Sequence, residues 1–202
     1  MRKSVCVVAT LLATMVFMIS PLWAENLMFG VEGGLSLANL KGGDVYNNSI
    51  KYGATGGVFG RYTLTEIFTV QPEVLFAMKG AKYEAEGIKS QQEINYIEIP
   101  VLVRATMPNE GKLKPSLFAG PAIGILLSNK ITNGEEIDIK NASNGSDFGL
   151  VFGAGVEYML EKGCVLLDAR YELGLTSTLK EAEDKEVKNS VISIMIGYGM
   201  QF

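Results

Sequence analysis

At 202 residues the chain has the length of a single domain. Acids outnumber bases 22 to 18, and a net charge of −4 gives no footing for nucleic-acid binding. Histidine is absent altogether, which removes histidine-dependent dyads, triads and HExxH zinc sites from consideration.

Residues 1–24 read as an export signal. Arg2 and Lys3 give the basic start, Val5 to Ile19 the apolar run, Pro21 the break and Ala24 the small residue before cleavage. The apolar run is too short to span a bilayer as a helix. Its removal takes away two bases and no acids, so the mature chain is more acidic still. Cys6 leaves with the signal and Cys164 remains alone, which excludes an intrachain disulfide. No later stretch is apolar enough for a transmembrane helix, although mean hydropathy is +0.20. Residues 25–202 are expected to form one domain.

From residue 27 the sequence falls into eight runs of period-two alternation. The first, 27–38, sets Leu27, Phe29, Val31, Leu35 and Leu37 against Glu32 and Ser36. A polar loop, 39–52, leads to 53–64, where Val58, Tyr62 and Leu64 oppose Arg61. Only 65–67 separate this run from 68–82, with Phe68, Val70, Val74, Phe76 and Met78 on one side and Gln71, Glu73 and Lys79 on the other. After a polar loop over 83–92, the run 93–107 places Ile97, Ile99, Val101 and Val103 opposite Tyr96, Glu98 and Arg104. The turn 108–114 and the weakly alternating run 115–128 precede the longest loop, 129–147. In 148–160, Phe148, Leu150, Phe152, Val156 and Tyr158 oppose glycines and Glu157. The turn 161–163 leads to 164–177, with Val165, Leu167, Tyr171, Leu173 and Leu175 against Asp168, Arg170 and Glu172. A charged loop, 178–187, precedes the closing run 190–202, whose apolar face is Ile192, Ile194, Ile196, Tyr198, Met200 and Phe202.

Eight runs of this length, joined by loops that are in turn long and short, predict an all-β fold: an eight-stranded antiparallel up-and-down transmembrane β-barrel. The short turns are expected on the periplasmic side, with Tyr198 and Phe202 in the interfacial girdle. A soluble barrel carries its aliphatics inside, and eight strands enclose too little room for all of them. The opposite polarity follows: aliphatics outward to lipid, and Glu32, Arg61, Glu73, Lys79, Glu98, Arg104, Glu157, Asp168, Arg170 and Glu172 inward. A buried unpaired charge is costly, so these ten are expected to pair as a structural network, with Glu73 near Arg61 and Arg104. The alternative is a selective ion path. Pro72, Pro100 and Pro121 lie inside runs, where each is expected to bring a β-bulge.

The stretches QPEVLFAMKGAKY (71–83), YIEIPVLVR (96–104), FAGPAIG (118–124), DFGLVFGAGVEY (147–158) and ARYELGL (169–175) resemble the PorT-type, porin-like outer-membrane β-barrel domain. The resemblance spans essentially the whole mature chain. It implies a Gram-negative outer-membrane location and no catalytic residues; its namesake branch is associated with protein secretion.

The expectation is therefore a non-enzymatic outer-membrane barrel with a structural or surface-interaction role. The alternatives are a narrow pore for ions or small solutes and an accessory in secretion or envelope assembly. No cofactor or metal is expected. The acidic stretches 135–138 and 181–186 lack calcium-loop spacing and read as solvated charge. The expected partners are outer-membrane lipid, the barrel-assembly machinery during insertion, and an unidentified protein at the extracellular loops.

Overall fold

The structure, a computed structural model, describes residues 26–42, 48–85, 88–133, 135–178 and 187–201. The proposed export signal (1–24), Phe202 and the acidic stretch 181–186 lie outside the described residues.

The strands are β1 (Leu27–Lys41), β2 (Asn48–Ser49), β3 (Lys51–Thr63), β4 (Phe68–Ala85), β5 (Ile88–Thr106), β6 (Leu113–Asn133), β7 (Glu135–Asp138), β8 (Ser146–Leu160), β9 (Gly163–Gly174) and β10 (Lys188–Gln201). Eight of them form a ring in the order β1, β3, β4, β5, β6, β8, β9, β10, every neighbouring pair antiparallel. β1 meets β10 from Met28↔Gln201 to Lys41↔Lys188, which closes the barrel. Closure leaves no free strand edge among these eight, the condition that lets a sheet cross hydrocarbon.

One end of the barrel carries the start of β1, the end of β10 and the short connections 64–67, 107–112 and 161–162; we call it the turn end. The last of these is tight enough that Gly163 takes φ +151°, and a Cβ there would stand 2.1 Å from the carbonyl oxygen of Gly199. The opposite, loop end is built differently from the expected polar loops. β4 and β5 stay paired to Ala85↔Ile88, so most of 83–92 is strand. β6 runs on to Asn133, and β7 folds back along it from Asn133↔Glu135 to Lys130↔Asp138. A single 3-10 turn, Lys140–Ala142, follows before β8. β4, β5 and β6 have 18, 19 and 21 residues. A bilayer needs only about 9–11 residues per tilted strand, so these three project beyond it at the loop end.

The outward face is aliphatic: Leu35, Ile194 and Ile196 are 70%, 60% and 61% exposed, with Val31, Leu117, Phe152 and Leu167 also exposed. In water such a surface would drive association; in a bilayer it is the solvated face. The polarity inverts in the projecting part. There Leu40, Ala81, Ile94, Tyr96 and Leu126 pack inside as an apolar cluster, while Lys82 points outward. Strands standing in water need an apolar interior, and strands standing in lipid do not.

The prolines depart from expectation. Pro72 stays paired with Val101, Pro100 with Ala122 and Pro121 with Leu150. On its other side each proline interrupts the ladder and the register then resumes unshifted, so no bulge forms there and facing is preserved. A register shift falls instead between Asn95 and Tyr96 of β5, opposite Leu126 and Ser128, where Leu127 is the extra residue.

Candidate functional site: the charged barrel interior

Strand alternation places all ten charged residues on the inner wall. Nine are 6% exposed or less, and Glu172 is the least enclosed, with its side chain 12% exposed. They divide into two clusters.

The larger cluster is a closed ring of seven side chains. Arg104 holds Asp168 through both guanidinium nitrogens, Nη1 to Oδ1 at 3.1 Å and Nη2 to Oδ2 at 2.5 Å. Asp168 Oδ2 also accepts from Arg170 Nη2 at 3.1 Å. Arg170 Nη1 donates to Glu73 Oε2 at 2.7 Å. Glu73 Oε1 accepts from Gln71 Nε2 at 2.6 Å, and Gln71 Oε1 accepts from Arg61 Nε and Nη2 at 2.9 and 2.7 Å. Arg61 pairs with Glu157 at 3.0 Å, and a looser pair of 3.5 Å from Glu157 to Arg104 closes the circuit. Glu32 joins at Arg170 Nη2, 2.9 Å, and Ser116 at Arg104 Nη1, 2.7 Å. Seven of the eight barrel strands therefore contribute to one network. Paired charges with several hydrogen bonds each are the form in which buried ions are tolerated.

Aromatic rings and glycines shape the space around it. The Phe118 ring lies 4.3 Å from the Arg104 guanidinium and 5.5 Å from that of Arg170, and the Phe59 ring 5.5 Å from that of Arg61. Gly153 faces Phe118, where a Cβ would come within 2.2 Å of the ring; Gly155 faces Asp168, where one would come within 2.0 Å of Oδ1. The glycines of FGAGVEY are thus spaces for a ring and a carboxylate.

The second cluster lies toward the loop end. Lys79 pairs with Glu98, with Glu172 at 2.6 Å and with Asp147 at 3.9 Å, under the Tyr96 ring 5.2 Å away. Asp147 also accepts from Asn189 at 2.7 Å and Thr176 at 2.9 Å. Glu172 thus belongs with Lys79, not with Asp168 and Arg170. Between the clusters lies a small cavity of about 30 Å³ whose lining includes Lys79, Glu98, Pro100, Arg170 and Glu172, enough for about one water.

The sequence pattern puts Glu73 beside Arg61 and Arg104. In the structure it sits instead on Arg170, and it reaches Arg61 only through Gln71. Asp147, Gln71, Ser116 and Asn189 are members that the sequence reading does not include. Gln71 and Asp147 carry a usable signal: each shares strand parity with a charged inward residue, Glu73 and Glu157. Among the described residues no group of three or more Cys, Asp or Glu side chains is arranged to hold a metal.

Comparison with known proteins gives the same architecture. The solved structure of a major outer membrane protein from Thermus thermophilus is similar over 87% of this chain and 99% of its own, at 14% identity and a TM-score of 0.54. OprG from Pseudomonas aeruginosa is similar over 88% and 97%, at 13% and 0.52. Neisserial surface protein A is similar over 86% and 97%, at 16% and 0.51. At these identities the likeness is one of fold. No curated protein matches the sequence. The family described as outer membrane protein beta-barrel domain matches residues 21–180, four-fifths of the sequence in one stretch. The chain belongs to the outer membrane protein beta-barrel domain family, and its place is the outer membrane.

Proposed function

We propose that the protein is a closed, non-catalytic barrel whose work is done at its loop end, as a rigid membrane platform for surface contacts. The observation that carries this reading is the closed ring of Arg61, Gln71, Glu73, Arg170, Asp168, Arg104 and Glu157 across the interior. It joins side chains of β3, β4, β5, β8 and β9 across the interior, and it offers no nucleophile paired with a base. In this reading the leader 1–24 directs export, the barrel-assembly machinery inserts the chain, and the ten inner charges are structural. The loop end faces outward and the short turns face the periplasm, as in other outer-membrane barrels. The finer resemblance, to the PorT-type branch, would make the protein a secretion accessory; it rests on sequence likeness alone.

The test is protease accessibility in intact cells. Cleavage is expected around 135–145, on the β6–β7 projection, with the 161–162 turn protected. Cleavage at 161–162 in sealed cells would reverse the orientation and remove the platform from the surface.

A further inference from the structure

The hydrocarbon-facing wall is not evenly filled. Followed across the ladders from β5 to β10, one outward row runs Ala105, Leu117, Ala154, Ala169 and Ile194. The next row toward the turn end runs Pro115, Val156, Leu167 and Ile196. On the loop side the neighbouring row carries the paired rings of Phe152 and Tyr171. Three alanines among bulkier neighbours leave a depression, a groove of about 820 Å³ with an almost wholly apolar lining. The groove is oblique. It opens at the turn end, where Ile67, Met107 and Pro108 border it, and Ala105 is the penultimate residue of β5. Ala169 and Ile194 lie in the middle of β9 and β10. The groove therefore starts at the rim and leads into the depth of the wall. The two connections at its mouth are tied together by a hydrogen bond from the Thr106 N–H to the Ile67 carbonyl, 2.8 Å. They carry Glu66, Glu110 and Lys112, all exposed, and none of the three has an ion-pair partner among the described residues.

We propose that this groove seats one acyl chain of a zwitterionic phospholipid with a primary ammonium, whose headgroup rests on the turn-end rim. The occupant is a lipid because the groove is continuous with the wall that faces hydrocarbon and opens at the rim where headgroups begin. A flexible chain follows an oblique depression and makes close contact along its length, where each atom pair adds a little dispersion attraction. Charges of both signs at the mouth match a headgroup of both signs: Lys112 for the phosphate, Glu66 and Glu110 for the ammonium. Exposed ion pairs contribute little, so the groove sets retention and the rim sets headgroup preference. In the orientation proposed above the lipid belongs to the periplasmic leaflet; that placement rests on the earlier reading, and the groove itself does not.

The full-length purified barrel is reconstituted in vesicles of phosphatidylethanolamine and phosphatidylglycerol in equal parts and extracted in mild detergent. Native mass spectrometry then counts the lipid it retains, with folding checked by heat-modifiable gel mobility. Retention of phosphatidylethanolamine in excess over phosphatidylglycerol is expected, whichever way the barrel is inserted. Ala154→Leu and Ala169→Leu, which fill the groove, should each cut retention several-fold. Ala54→Leu, an outward alanine of β3 on the opposite wall, should leave it unchanged. Glu66→Gln combined with Glu110→Gln should abolish the preference for phosphatidylethanolamine. Retention untouched by both groove-filling variants, or lowered equally by Ala54→Leu, would overturn the groove. Equal retention of the two lipids by the unaltered barrel would overturn the headgroup assignment. A barrel dimer that Ala154→Leu dissociates would give the groove to a second copy and overturn the choice of a lipid.

Discussion

Arg104 and Asp168 meet in a two-point ion pair, Nη1 to Oδ1 at 3.1 Å and Nη2 to Oδ2 at 2.5 Å, with neither side chain reached by solvent. They come from strands β5 and β9, on different sides of the barrel, so the pair crosses the interior and ties its walls together. Removing one member of such a pair leaves a buried charge, a change that costs far more than the intact pair contributes over an apolar substitute.

Arg104→Ala should therefore destabilise the folded barrel by about 3–5 kcal/mol. Arg104→Lys should recover part of this and not all, because an ammonium cannot reproduce the fork. Urea unfolding in lipid vesicles measures both. Equal stability of Arg104→Ala and wild type would mean that the network does not hold the walls.

Gly153→Ala probes the space that Phe118 occupies. The added methyl would lie 2.2 Å from the ring and 2.7 Å from the carbonyl oxygen of Ala169. Backbone cannot yield as a side chain can, so a loss of about 1–3 kcal/mol is expected. The same vesicle unfolding assay reads it. A neutral result would show that the ring has room to move from between Arg104 and Arg170.

The outer face should show depth-dependent tolerance. Ile194→Arg, near the middle of β10, should cost about 2–4 kcal/mol, whereas Met200→Arg, near the turn end, should cost about 1 kcal/mol or less. Equal costs would mean that this face does not meet hydrocarbon.

The strands and the side to which each residue points were legible because period-two alternation is local. Glu32, Arg61 and Glu157 declare their face by their own neighbours. Which charge meets which was not legible, because it depends on stagger between strands. Glu73 reaches Arg170 across the barrel, not Arg61 beside it, and nothing in the alternation of β4 encodes that. The projecting ends misled for a second reason. Residues 83–85 and 88–92 pair as strand although their composition is typical of a loop, because strand ends that stand in water need no apolar outer face. The prolines misled for a third. Each lacks one N–H, and the barrel accepts a short gap in one ladder where an inserted residue was expected.

The central claim is that the interior is shut, and single-channel recording tests it most directly. With Arg61, Gln71, Glu73, Arg170, Asp168, Arg104 and Glu157 joined across the lumen, purified protein in planar bilayers should give no steady, reproducible conductance step. A stable unitary current whose ion selectivity changes in Glu73→Gln or Arg170→Gln would contradict the account and make the charged interior a conduction path.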